Sequence, residues 1–164
     1  MAKMTAQEAI GELSMVFQEL ENSLIWLFAR LTDPGRDTVG IIIASKLSFG
    51  SLSAVTAALL RYRTKDTKLI TQCDKLLGES QQLEQLRNTY IHSFYDWRTI
   101  SGATISYERI KHRIKPGKGF SPDYEMLDTD KIREIIERFR IQIAALDLFF
   151  EELQGAGVIA RYDE

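Results

Sequence analysis

One cysteine, three prolines and two histidines are all that 164 residues contain of these types, and each scarcity removes a class of protein. A lone thiol, Cys73, cannot close an internal disulfide, and no Cys/His spacing of the zinc kind is present, so a reducing compartment and no metal are expected. Within its helical pattern Cys73 reads as a small packed side chain. Neither charge sign dominates: 21 basic against 23 acidic residues leave a net charge of −2, which excludes a polycation wrapped on nucleic acid as well as an acidic tail. Long apolar runs are missing too. The most apolar stretch, LIWLFARL at 24–31, is far short of the ~20 residues of a membrane span. The opening MAKMTAQEAIGELS has neither the apolar core nor the cleavage site of a signal peptide. The expectation is a cytoplasmic protein with no membrane contact and no cofactor.

What is present is apolar content, 45% of the chain, enough for the core of one domain over residues 1–164. From 5 to 31 the residues Ile10, Leu13, Phe17, Leu20, Leu24, Leu27 and Leu31 recur at steps of three and four, the mark of a helix with one buried side. Ile25, Trp26 and Phe28 lie off that stripe, so the second half of this helix must meet more than one neighbour. TDPGRD at 32–37 is turn chemistry. Residues 39–63 open with a β-branched run that periodicity leaves between strand and helix; helix is preferred, with Ser48 or Ser51 as cap. A third helix is expected over 65–97, with Leu76, Leu83, Leu86, Tyr90, Phe94 and Trp97 on its stripe. Residues 98–128 carry turn signals at Ser101-Gly102, Pro116-Gly117 and Gly119 and β-favouring residues between them, which predicts a β-hairpin or irregular arm, with a bulge where the alternation slips between Tyr107 and Ile110. Asp128 or Thr129 caps a last helix closed by Gly155. The fold class is all-α: an antiparallel bundle of four to five helices with a small inserted arm.

One hexapeptide resists a core explanation. In RNTYIH, residues 87–92, setting Tyr90 toward the core puts Asn88 and His92 about 160° away, adjacent on the outer face, with Tyr95 one turn further along. Arg87 flanks the stripe, where its stem can cover apolar surface while its guanidinium swings toward His92. Outward Arg, Asn and His are ordinarily just solvated. Yet a histidine titrates near neutral pH and suits proton transfer, while an arginine supplies a fixed charge and a fork for phosphate.

Arg87, Asn88 and His92, as R-N-x-x-x-H near the end of a long helix in an all-helical domain, resemble the R-x(4 to 6)-H motif of the HEPN superfamily. The resemblance implies a metal-independent endoribonuclease that cleaves single-stranded RNA by transesterification, active as a homodimer in which two such helices meet across a two-fold axis. It assigns proton exchange to His92, the scissile phosphate to Arg87 and orientation of His92 or the phosphate to Asn88. A toxin or defence effector with a cognate inhibitor protein is the matching role. His92, Ser93, Phe94, Tyr95 departs from the H-x-Y of toxin branches silenced by tyrosine modification, so regulation by a nucleotidyltransferase is not implied. The rival is a non-catalytic HEPN-like domain that binds a partner protein or nucleic acid; a third reading is a plain helical dimer without ligand.

The segment 107–119 concentrates Arg109, Lys111, Arg113, Lys115 and Lys118 against Glu108. It is expected to grip RNA phosphates, with Tyr107 or His112 stacked on a base and Tyr95 lining the RNA cleft. The plain alternative is a solvated hairpin whose lysines discourage edge pairing.

Overall fold

The computed structural model describes residues 5–33, 37–100, 104–115 and 119–160; within the sheet it describes the side chains of Tyr95, Arg109, Ile110, Glu125 and Met126. Among the described residues five helices and three strands follow one another as α1 (Ala6–Thr32), α2 (Asp37–Ala44), α3 (Phe49–Arg63), α4 (Thr67–Ile91), β1 (Phe94–Ile100), β2 (Thr104–Lys115), β3 (Gly119–Met126) and α5 (Thr129–Gly155). This is the helical bundle with an inserted β arm that periodicity predicts.

The central helix is α1, which contacts α2, α3, α4 and α5. Its start is fixed by a capping box: the Thr5 side chain accepts from the Glu8 backbone N–H, and the Glu8 carboxylate accepts from the Thr5 N–H at 2.7 Å. Its stripe is buried, with Leu13, Leu20, Leu24 and Leu31 fully enclosed, and Phe28, off the stripe, is buried as well. The last helix packs Ile132, Ile136, Phe139, Phe149 and Leu153 against it. Phe17 meets Phe139 edge-on at 6.1 Å.

Several boundaries differ from expectation. Residues 39–63 form two helices, because Ser48 caps a fresh start by accepting from the Ser51 N–H at 3.2 Å. The turn at 34–36 lies outside the described residues. Gly40 of α2 packs on Ala29 of α1 so closely that a Cβ there would stand 2.4 Å from the Ala29 Cα, so glycine sets the approach of these helices. Gly155 is the last helical residue. Closure falls to Gly157 at φ +69°, where Val158 N–H donates to Leu153 and Gly157 N–H to Gln154, a Schellman turn that tucks Ile159 into the core.

The largest correction concerns the third predicted helix, which ends at Ile91 instead of Trp97. Phe94 and Trp97 belong to β1, and the arm is a three-stranded antiparallel sheet in the order β1-β2-β3. The β1–β2 ladder runs in unbroken register from Phe94↔Ile110 to Ile100↔Thr104, without the expected bulge. Pro122 lies in β3, an edge strand, where a missing N–H costs least. The turns at 101–103 and 116–118 lie outside the described residues.

Candidate functional site

The end of α4 is where sheet and bundle meet, and no glycine closes it. Three successive carbonyls of its last turn are all engaged, the first by an ordinary helical bond. Asn88 O accepts from the His92 N–H at 3.2 Å. Thr89 O accepts from the Ser93 hydroxyl at 2.6 Å and from Arg109 Nη1 at 3.0 Å. Tyr90 O accepts from the Ser93 N–H and the Tyr95 hydroxyl. Orphan carbonyls at a helix end need such donors, and here two come from the sheet.

Those sheet donors stand in one row. Tyr95 pairs with Arg109 across β1–β2, and Arg109 with Glu125 across β2–β3, so the three side chains are neighbours on one sheet face. Arg109 is only 3% exposed. Its guanidinium bonds Thr89 O, pairs with Glu125 and lies 4.9 Å over the Tyr90 ring. Burial raises the Tyr95 hydroxyl above its ordinary pKa, partly opposed by the Arg109 charge; the phenol stays a donor. These two residues, expected to touch RNA, fasten the sheet to α4. A charged group in a strand reads as solvent-facing, and only the cross-strand pairing reveals its buried task.

On the other side of the turn the sequence-predicted trio does come together. Arg87 and His92 are five residues apart, about 140° around the helix, and the long arginine spans the gap. Its Nη1 donates to Asn88 Oδ1 at 2.9 Å and stands 3.5 Å from His92 Nε2. A guanidinium only donates, so the nitrogen facing it presents its lone pair. Asn88 therefore orients Arg87, where the sequence led us to expect His92 or a phosphate as its partner. The guanidinium rests 4.6 Å over the Phe17 ring of α1, a contact worth about 0.5–2 kcal/mol that holds the stem against the core. Its Nε is buried without a hydrogen-bond partner among the described residues. His92 itself is exposed.

No carboxylate neutralises Arg87 among the described residues. Arg61 pairs with Asp74, Arg30 with Asp37, Arg133 with Asp130 and Arg140 with Glu12 and Glu137. An unneutralised guanidinium beside an exposed imidazole, at a site open to solvent, can attract an anion and exchange a proton with it. The side chains of Lys111, Arg113, Lys115, Tyr107 and His112 lie outside the described residues. Phe17 and the carbonyls of Thr89 and Tyr90 were missed by sequence reasoning, having no signal beyond their place in an apolar stripe or a backbone.

Among the described residues no group of three His, Cys, Asp or Glu side chains is placed to hold a metal. No helix among them is long and apolar enough to cross a membrane. Cys73 is buried, and burial pushes its thiol up to about 12, as fits a packed side chain. No family model matches the chain, and no match was found among curated proteins or solved structures.

Proposed function

We propose that this chain is a metal-independent endoribonuclease acting on single-stranded RNA as a homodimer, with Arg87, Asn88 and His92 at its centre. The reading rests on one observation: an arginine free of carboxylate partners among the described residues whose Nη1 stands 3.5 Å from the Nε2 of an exposed histidine. A 2′-hydroxyl oxygen attacks the adjacent phosphorus and the bond to the 5′-oxygen breaks. One imidazole takes the 2′-hydroxyl proton, and an imidazolium from the second protomer gives a proton to the leaving oxygen. Arg87, held by Asn88, binds the phosphate and its developing charge. The products are a 2′,3′-cyclic phosphate and a 5′-hydroxyl. A toxin or defence role with a cognate inhibitor fits this chemistry.

The purified protein, compared with His92→Ala and Arg87→Ala on single-stranded RNA in EDTA, tests the proposal. Each substitution is expected to lower cleavage by about 10²–10⁴. Equal cleavage by all three proteins removes the assignment.

A second reading has its own support. Val39, Ile42 and Ile43 on α2 are 51%, 60% and 43% exposed, an apolar face suited to a partner protein. A non-catalytic HEPN-like domain that binds a protein or nucleic acid would use the bundle for its surface alone. It predicts that His92→Ala leaves every activity of the chain unchanged.

A further inference from the structure

Away from the Arg87 side, α4 and α5 enclose a groove. One part, about 420 Å³, is lined by Gln82, Gln85, Leu86, Thr89 and Arg138. It adjoins a second part of about 290 Å³ that shares Gln82 and Arg138 and ends at Glu79 and Ile141. Gln82, Gln85 and Thr89 are spaced three and four apart, so they form a row along α4. Position 92 lies seven residues beyond 85, on the same side of the helix and about 10 Å further along its axis. The groove thus runs toward His92.

Among the described residues Arg138 is its only basic lining residue. It is exposed and makes no ion pair among the described residues, whereas its neighbours Arg133 and Arg140 on α5 both do. Glu134, one turn earlier on α5, makes no ion pair with it. Arginine without a carboxylate forks onto phosphate, and glutamine amides, each both donor and acceptor, match base edges.

We propose that this groove is a second nucleic-acid subsite, in which Arg138 binds a backbone phosphate and Gln82 and Gln85 contact bases of a single strand leading away from His92. The proposal rests on Arg87 and His92 holding the scissile phosphate. The strand leaves the groove before Glu79, whose carboxylate repels it. Sequence reasoning placed a phosphate grip on the β arm; of that set Arg109 is buried, while the side chains of Lys111, Arg113 and Lys115 lie outside the described residues.

The test uses the full-length chain, with Arg138→Glu, Gln85→Ala and Arg87→Ala checked for native circular dichroism. Anisotropy follows a labelled single-stranded deoxy-dodecamer, which cannot be cleaved, at several salt concentrations. A ribodinucleotide reports cleavage at His92 alone. Arg138→Glu is expected to weaken dodecamer binding about tenfold or more and to reduce the salt slope by about one, with dinucleotide kcat/KM changed by less than roughly twofold. Gln85→Ala weakens dodecamer binding less and leaves the salt slope intact. Unchanged dodecamer binding by Arg138→Glu overturns the subsite while leaving the nuclease reading standing. Weakened binding by Arg138→Glu alongside full cleavage by Arg87→Ala keeps the subsite and removes the assignment of the scissile phosphate to Arg87. Dinucleotide cleavage that falls as far as dodecamer binding overturns a separate subsite. So does a wild type that binds no dodecamer, which leaves the groove to a protein ligand.

Discussion

Replacing Arg109 with methionine keeps an unbranched stem but removes the guanidinium that ties β2 to α4. Three losses follow. The charged hydrogen bond to Thr89 O at 3.0 Å is worth about 1.5–3 kcal/mol. The stacking over Tyr90 adds about 0.5–2 kcal/mol. The pair with Glu125, whose side chain is half exposed, contributes about 0–1 kcal/mol after solvent screening. Against these stands the cost of keeping a guanidinium 3% exposed, which methionine relieves. The net expectation is about 2–3 kcal/mol, a fall in Tm of roughly 5–10 °C for a chain of this length. Thermal and urea unfolding measure the loss, and amide NMR locates it, with the largest shifts at 89–95. Arg109→Lys should recover only part, because an ammonium lacks the planar fork and stacks poorly. A methionine variant with unaltered Tm and undisturbed resonances at 89–95 would refute the clamp.

Two further outcomes follow from packing. Gly40→Ala, whose Cβ would stand 2.4 Å from the Ala29 Cα, should cost about 1–3 kcal/mol by urea unfolding despite alanine's better helix propensity, because α2 must lift off α1. Cys73, with its thiol pushed up to about 12 by burial, should resist alkylation at pH 8 in the folded protein and react at an ordinary rate in denaturant. The sign for stability is that burial keeps the thiol neutral. That contribution is intact below the unfolded pKa near 9 and is lost as pH rises from there toward 12, which alkaline unfolding with Cys73→Ala as control would detect.

The ends of the bundle were easier to read than its middle. In α5 the apolar stripe and the capping residue agree, so its start at Thr129 follows from Asp128, and in α1 the stripe alone places the helix, whose cap is Thr5. At the end of α4 the local signals conflict. Tyr90, Phe94 and Trp97 fit a helical stripe, yet the alternation of FYDWRTI fits a strand equally well. No glycine marks the boundary, because its carbonyls are satisfied by Ser93, Tyr95 and Arg109, the last 20 residues distant in sequence. Propensity within a short window cannot contain that contact. The Arg87–Asn88–His92 cluster was legible because its members are within one and a half turns of each other. Arg138 was not, since an exposed arginine on α5 looks like any solvated face until α4 is placed beside it.

The position of the proposed phosphate site poses an electrostatic difficulty whose solution ties the sheet to the chemistry. A helix C-terminus carries the negative end of the macrodipole and disfavours anions. Arg87 and His92 stand at such an end. The carbonyls that concentrate this negative charge are those of the last turn, and at Thr89 and Tyr90 they are engaged by a buried guanidinium and two hydroxyls. Arg109, its charge paired by Glu125, thereby occupies the Thr89 carbonyl and keeps the Glu125 carboxylate compensated, leaving Arg87 as a cation able to bind phosphate. On this account Arg109→Met weakens phosphate binding as well as folding, and does so most at low ionic strength, where fields between separated groups are least screened. A stability loss alone would instead leave the salt dependence of binding unchanged.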